Sequence, residues 1–184
     1  ISFIGLLGYW CIMSWIPSML RADRGMTIFA SSMWFIIINV GCMIGYLTFG
    51  VVADRLGRRP TFTIYWLAAM VFAPLFAFYA LSPAVMLPVG FCLGISMGYF
   101  SGYPMYGSEL WPTWLRATGM GIAYMGIARI GSTFGPMAVG AMADIIGVAK
   151  AIGVMASFYI LAVILIWAIG YETKGKSLEE LDKI

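Results

Sequence analysis

The sequence predicts an all-α integral membrane protein built as a bundle of six transmembrane helices. Of its 184 residues, 62% are hydrophobic and 10% are charged, whereas an ordinary soluble domain has about 25% charged residues. The 11 basic and 8 acidic residues cannot form the polar shell that a soluble core of this size needs. Charge-free apolar runs of about 20 residues, the length of helix that crosses a bilayer, make up most of the chain.

Charged or turn-forming segments separate the six predicted helices. The helices cover residues 1–20, 29–53, 61–81, 84–108, 117–143 and 149–170. The uncharged stretch from Pro60 to Ser108 is too long for one crossing, so we divide it at Leu81, Ser82 and Pro83, where serine and proline favour a turn. Residues 1–170 thus form one predicted domain, and residues 171–184 form a polar tail.

Lysine and arginine are concentrated on one side of the predicted bundle. The side formed by the 54–59 loop, the 109–116 loop and the tail holds seven of them, and the opposite side holds Arg21, Arg24 and Lys150. Because cytoplasmic loops carry the excess of positive charge, we expect both chain ends in the cytoplasm and the protein in the plasma (inner) membrane. The chain begins inside an apolar run, so we expect a fragment of a longer protein.

The composition excludes several classes of function. The chain has no histidine, and Cys11, Cys42 and Cys92 all lie inside apolar runs, so we expect no metal site, no disulfide and no cofactor. A net charge of +3, spread along the chain, does not indicate nucleic-acid binding. The sequence has no recognisable pair of nucleophile and base and no phosphate-binding loop, so we do not expect an enzyme.

Three motifs resemble those of a known transporter family. Residues 50–59 read G-V-V-A-D-R-L-G-R-R and are similar to the G-x-L-x-D-R-x-G-R-R loop of the major facilitator superfamily, with Val52 in place of leucine. Glu109, Pro112 and Arg116 match the E-x-x-P-x-x-x-R motif of its sugar and organic-acid porters, and residues 172–180 match the end of P-E-T-K-G-x-S-L-E-E. The resemblance implies helices seven to twelve of a twelve-helix transporter, whose partner is a missing amino-terminal six-helix half.

The loop motif has a physical rationale as a gate. Glycines at 50 and 57 permit close backbone approach and a sharp reversal, and a carboxylate at 54 can meet the N-terminus of a neighbouring helix. The alternative is that the arginines only orient the helices and face anionic headgroups. The resemblance implies a cytoplasmic latch, in which Asp54 and Glu109 pair with Arg58 and Arg116 or cap a helix. Its candidate residues are Gly50, Asp54, Arg55, Gly57, Arg58, Arg59, Glu109, Arg116 and Glu172.

Arg129 is the most informative residue for function. It lies near the middle of the fifth predicted helix, where an arginine costs roughly 2.5 to 3.5 kcal/mol on insertion scales. No acidic residue lies inside a predicted helix, so its counter-charge is a substrate anion, a carboxylate of the missing half, or headgroups reached by snorkelling. Helical spacing places it on a small, polar stripe that we expect to face a cavity or another helix. The other members of the stripe are Gly126, Ser132, Thr133, Pro136 and Gly140.

Five further residues are candidates for contact with a solute. The resemblance implies that the first and fourth helices line the path, which makes Tyr9, Trp10, Tyr99 and Tyr103 candidates; for the last two, core packing is the alternative. Asn39 lies in the middle of the second helix, and we expect it to cross-bond helices more than to touch solute. Separately, glycines recur every four residues in the fourth helix, at 90, 94, 98 and 102, which allows another helix to pack closely.

We therefore predict that the protein transports a small organic solute across a lipid bilayer by alternating access. The predicted solute is an organic anion, and the class includes aromatic anions. The resemblance implies proton coupling in the full-length protein, and the coupling carboxylate would lie in the missing half. One alternative is a facilitative sugar transporter, which the tail motif favours but the buried charge of Arg129 does not. Another is a non-transporting membrane sensor on the same fold.

Overall fold

A computed structural model describes residues 1–79 and 82–176, and these residues form helices without a strand. We number the six long helices α1 (Ser2–Ala22), α2 (Ile28–Leu56), α3 (Arg58–Tyr79), α4 (Pro83–Leu110), α5 (116–146) and α6 (Val148–Ala168). The predicted all-α class is confirmed, and the helix ends lie within three residues of the predicted spans. Two stretches lie outside the described residues. They are residues 80–81, at the predicted turn, and residues 177–184, which include part of the tail motif and Lys183.

Five of these six helices, α1 to α4 and α6, are long and apolar enough to cross a membrane. Helix α5 is equally long, but its many glycines, together with Arg129, Ser132 and Thr133, make it less apolar. A helix with this composition is stable in a membrane when its polar face meets protein or a water-filled path. The composition of α5 therefore sets it apart from its five neighbours.

Five helices contain irregular segments. Among the described residues, α3 ends in a π-helical segment, Leu75–Tyr79, and α6 is interrupted at Ser157. Helix α1 is interrupted at Ser14 and Trp15, because Pro17 has no N–H to bond to the carbonyl of Met13. Helix α4 contains a 3₁₀ segment, Met97–Ser101, and α5 contains a π-helical segment, Gly121–Ile127. Interrupted and π-helical segments are frequent at functional sites, and transporters bind their solutes at discontinuous helices.

Glycines bring α2 and α4 into backbone contact. A Cβ atom added to Gly41 would lie 3.1 Å from the Cα of Gly94, and one added to Gly45 would lie 3.0 Å from the Cα of Gly98. The glycine repeat of α4 thus meets a pair of glycines on α2. This confirms the expectation that the repeat allows close approach of another helix.

Single glycines form the sharpest turns of the bundle. Gly57 joins α2 to α3 with a φ of 106°, and Gly147 joins α5 to α6 with a φ of 86°. Both values lie in the left-handed region that side chains rarely adopt, so glycine is required at each turn. Each turn places the end of one helix beside the start of the next.

Candidate functional site

A cavity of about 360 Å³ lies between α1 and α2, beside the interruption in α1. It brings together three residues that the sequence analysis selected, Tyr9, Trp10 and Asn39. Tyr9 and Trp10 stand in the last turns before the interruption, and Asn39 faces them from α2. The rest of the wall consists of Met13, Ser14, Pro17 and Phe35.

The aromatic rings of this cavity are held in place by neighbours. The hydroxyl of Tyr9 lies 2.9 Å from that of Tyr46, and its ring centroid lies 4.6 Å from that of Phe100. The Nε1 atom of Trp10 is buried with no acceptor among the described residues. Aromatic walls with a few polar groups suit a small molecule with a flat carbon frame.

The structure corrects the expectation that Asn39 cross-bonds helices. Its Nδ2 atom donates to the carbonyl of Phe35 at 2.7 Å, one turn earlier in the same helix. This bond is local and fixes the side chain against α2. Asn39 thus makes this hydrogen bond within α2, and the residue lines the cavity.

The structure places Tyr99 in the core rather than on a cavity wall. Tyr99 is 0% exposed, and its hydroxyl lies 2.7 Å from that of Tyr159 and 3.2 Å from the carbonyl of Gly5. Tyr103 is also buried but borders a second cavity of about 260 Å³, whose wall includes Tyr106 and Tyr124. Tyr99, Tyr103 and Tyr106 follow one another at helical spacings of four and three residues. This spacing alone could not show which of them lies in the core and which borders a cavity.

A cluster of charged side chains joins the α2–α3 turn to the end of α4 and to the tail; we call it the Arg58 cluster. It consists of Asp54, Arg58, Glu109, Glu172 and Thr173. Arg58 donates to Asp54 at 2.8 Å and to Glu109 at 2.6 Å, and Thr173 donates to Glu109 at 2.5 Å. The side chains of Arg58 and Glu109 are 13% and 17% exposed, so water weakens this pair little.

Glu172 caps helix α3. Its carboxylate accepts from the backbone N–H groups of Arg58 at 2.8 Å, Arg59 at 3.0 Å and Lys174 at 3.1 Å. Burial alone would raise the pKa of Glu172, but these three hydrogen bonds outweigh burial and hold the pKa below its ordinary value. The first turn of a helix favours a carboxylate because its N–H groups are otherwise unbonded.

Arg59 binds the C-terminal end of α6 rather than facing solvent. Its guanidinium donates to the carbonyls of Trp167 at 2.6 Å and Ile166 at 3.2 Å, and it lies 4.5 Å from the Trp167 ring centroid. These carbonyls belong to the last turn of α6, and that of Ile166 also accepts from the N–H of Gly170 at 3.1 Å. The backbone carbonyl of Arg55 accepts from Lys174 at 2.6 Å.

Three sequence expectations about the latch differ from the observed contacts. The carboxylate at the start of α3 is Glu172 and not Asp54, which is 70% exposed and binds only the Arg58 side chain among the described residues. Arg116 donates weakly to Thr113 at 3.4 Å and does not reach Glu109, whose oxygens are taken by other donors. A Cβ atom at Gly50 would meet no described atom within 4 Å, so this glycine is not needed for packing between described residues.

Arg129 lies on an exposed face of α5 and forms no ion pair with a described residue. Ser132 donates to the backbone carbonyl of Arg129 at 2.6 Å. Further along the predicted stripe, the carbonyl of Pro136 accepts from Trp15 at 2.9 Å. The stripe therefore divides: the part near Pro136 packs against α1, and the part near Arg129 is uncovered.

The sequence analysis missed Ser14 and Pro17 in the cavity and Thr173 in the Arg58 cluster. A proline inside an apolar run is a recognisable signal for a break in a helix, and Pro17 was such a signal. For Thr173 there was no comparable signal, because its bond to Glu109 joins residues 64 positions apart.

Interrupted apolar helices around an aromatic cavity, with an ionic cluster at one end of the bundle, are the features of a membrane solute transporter. Residues 1–183 match the family model of the Major Facilitator Superfamily, and the chain belongs to this family. Membership confirms the family that the three motifs indicated and the prediction that the chain is not an enzyme. It also confirms an integral membrane protein.

Individual relatives are similar over part of their own length. A Haemophilus influenzae protein named for metabolite transport is 32% identical over 94% of this chain and 42% of its own. The cis,cis-muconate transport protein of Acinetobacter baylyi is 31% identical over 74% of this chain and 33% of its own. The solved structure of the proton:xylose symporter XylE has a TM-score of 0.70 at 17% identity, over 99% of this chain and 41% of XylE. The chain thus spans less than half the length of these relatives.

Proposed function

We propose that this chain is the carboxy-terminal six-helix half of a transporter that moves a small organic anion by alternating access. An amino-terminal half completes the protein and covers the exposed face of α5. The excess of basic residues supports a cytoplasmic position, at the plasma membrane, for the Arg58 cluster and both chain ends. The partial coverage of every relative named above supports this division.

The observation that carries the proposal is the position of Arg129. A guanidinium stays protonated at every physiological pH and presents a planar fork that matches a carboxylate. Arg129 stands on the polar, uncovered face of α5 with no acidic partner among the described residues. A carboxylate on the solute supplies the missing charge.

Tyr9, Trp10 and Phe35 give the cavity aromatic walls. Such walls suit a flat carbon frame, which supports an unsaturated or aromatic anion. A relative named for cis,cis-muconate, an unsaturated dicarboxylate, supports the same class. The alternative of a sugar substrate has support from the tail motif, whereas the likeness to XylE, at 17% identity, concerns the fold. A neutral sugar would leave Arg129 without a counter-charge, so we favour the anion.

The Arg58 cluster serves, in this proposal, as the cytoplasmic latch. Its buried members hold α3, α4 and the tail together, and the exposed residues Gly50, Asp54 and Arg55 remain available to the other half. No acidic residue lies among the helical residues of α1 to α6 at middle depth. Proton coupling therefore depends on a carboxylate of the amino-terminal half.

The test uses the full-length protein with Arg129→Lys and Arg129→Ala variants and measures uptake of labelled cis,cis-muconate and benzoate. Charge-assisted hydrogen bonds contribute about 1.5 to 3 kcal/mol, so the lysine variant should lose roughly tenfold to a hundredfold in affinity. The alanine variant should lose anion uptake while remaining folded. Arg21→Lys, the same change at an exposed helix end, serves as the control.

Unchanged affinity in Arg129→Ala would overturn the role of this residue. Uptake of a hexose that neither anion inhibits would instead favour the sugar alternative. If Arg129 pairs with an acid of the other half, replacing both partners with neutral residues should restore the stability that the single variant loses.

A further inference from the structure

The chain carries the pattern G-x-x-A-D-x-x-G twice, at residues 50–57 and at residues 140–147. In both copies the last glycine has a positive φ and an extended ψ, 163° at Gly57 and 155° at Gly147, and the next helix begins directly after it. A glycine has no side chain to cap a helix. The first N–H groups of α3 and α6 therefore need acceptors from another part of the chain.

A carboxylate from a distant segment supplies the acceptor at both places. At α3, Glu172 accepts from the N–H of Arg59 at 3.0 Å. At α6, Asp23 accepts from the N–H of Ala149 at 3.0 Å. Arg59 and Ala149 are each the second residue of their helix, so the two bonds occupy equivalent positions at opposite ends of the bundle.

An arginine lies beside each of the two capped helix starts and binds backbone carbonyls of a neighbouring helix. Arg59 binds carbonyls in the last turn of α6, next to the capped start of α3. At the other end, Arg24 donates to the carbonyls of Phe76 at 2.5 Å and Ala77 at 3.3 Å, in the last turns of α3. Its guanidinium also lies 5.6 Å from the Phe76 ring centroid. Asp23 and Arg24 thus attach the end of α1 to both α3 and α6; we call this pair the Asp23 clasp.

The clasp is placed to control access to the cavity. Ser14 and Pro17 line the cavity, and the segment that follows the interruption, Ile16–Ala22, ends directly at Asp23. An interruption allows this segment to tilt relative to the first part of α1. A tilt would remove Asp23 and Arg24 from the backbone groups that they bind.

We propose that Asp23 and Arg24 are positioning residues for transport, which hold the second segment of α1 closed over the solute cavity. This inference rests on the proposed function, because it assigns the cavity to a solute. Contacts present in one state and absent in another set the populations of the two states. Loss of the clasp therefore favours the state in which the cavity is open toward the end of the bundle that carries Asp23.

The experiment measures how fast a membrane-impermeant thiol reagent, added from the Asp23 side, labels a Met13→Cys residue, because Met13 lines the cavity and is only 4% exposed. The full-length protein is used with its native cysteines replaced by serine. Asp23→Ala should raise the labelling rate roughly twofold to fivefold, because Asp23 is exposed and water weakens its hydrogen bond to Ala149. Ala149→Pro removes the N–H that Asp23 binds and leaves Asp23 in place, so it should have the same effect; proline is tolerated in a first helical turn.

Asp144→Ala is the matched control, because Asp144 lies in the last turn of α5, at the same end of the bundle, and makes no hydrogen bond to a described residue. A parent-like labelling rate in both Asp23→Ala and Ala149→Pro would overturn the clasp, as would an equal rise in Asp144→Ala. If Asp23→Ala does not fold, the labelling rate of Ala149→Pro alone tests the clasp. Labelling needs no solute, so a rise supports the clasp even if Arg129→Ala shows that the protein does not carry an anion.

Discussion

Arg58 donates from both Nε and Nη2 to the carboxylate of Glu109, 51 positions later in the chain. The two-pronged contact fixes the relative orientation of the guanidinium and the carboxylate. It joins the start of α3 to the end of α4, and both side chains are largely shielded from water. The pair is therefore the part of the latch whose loss should affect stability most.

Glu109→Gln should lower the free energy of unfolding by about 2 kcal/mol, because it removes the buried one of the two carboxylates that pair with the Arg58 guanidinium. Asp54→Asn should lower it by less than about 1 kcal/mol, because that carboxylate is exposed. Thermal unfolding of the two purified variants checks the contrast. Equal losses would contradict the division of the Arg58 cluster into buried and exposed parts.

Asp54→Asn should nevertheless reduce the turnover of the full-length protein severely while leaving membrane insertion unchanged. The reason is that an exposed acid of the latch can contact the other half in one conformational state and not in the other. Transport rate and surface expression of the same variant provide the measurement. Full transport by the expressed variant would eliminate this role for Asp54.

Gly57→Ala should destabilise the protein by about 2 kcal/mol, because alanine is strained at a φ of 106°. Its Cβ would also lie 2.9 Å from the Glu172 carboxylate. Gly147→Ala introduces the strain without a neighbour within 4 Å among the described residues. A larger loss of stability at 57 than at 147 is expected in thermal unfolding, and the reverse order would argue against the cap.

Gly94→Ala should separate α2 from α4 and lower stability by about 2 to 3 kcal/mol, because its Cβ would lie 2.9 Å from the Cα of Gly41. Gly90→Ala is the control on the same stripe. Its Cβ would approach only side chains, those of Phe76 at 3.0 Å and Ile38 at 3.4 Å, which can move. Similar melting temperatures for the two variants would show that the helices are not in backbone contact.

The docking of the tail should depend on the ionisation of Glu172. Since the folded state holds its pKa below the ordinary value of 4.5, the carboxylate stabilises docking at neutral pH. This stabilisation is lost as the pH falls through the lowered pKa. A fluorophore at Lys176→Cys should report release of the tail below pH 4.5 and no change above it. Glu172→Gln should release the tail already at neutral pH, and a parent-like curve in that variant would exclude the mechanism.

The sequence predicted the helices because each apolar run is long and bounded by charges. It also predicted the meeting of α4 with another helix, because glycines four residues apart leave one face bare. These features depend on neighbours in the chain. Local patterns of this kind can be read without knowledge of the tertiary structure.

Long-range pairing could not be predicted in the same way. Asp54 and Glu172 are both acidic residues near basic ones, and the sequence alone left open whether Asp54 pairs with an arginine or caps a helix. In the fold Asp54 pairs with Arg58, and Glu172 caps α3, because the tail returns to the start of α3 across 114 positions of sequence. Tyr99 was ambiguous for a related reason: periodicity shows which residues share a face but not what that face meets.

The backbone contact between α2 and α4 has a consequence for the variation that related sequences can tolerate. A larger side chain in a core is often accommodated by a smaller one opposite, so that two substitutions arise together. At Gly41, Gly45, Gly94 and Gly98 the nearest opposing atoms belong to peptide backbone, which no substitution can shorten. We therefore expect no compensating pair of substitutions at these four positions, and we expect α2 and α4 to move together as one unit.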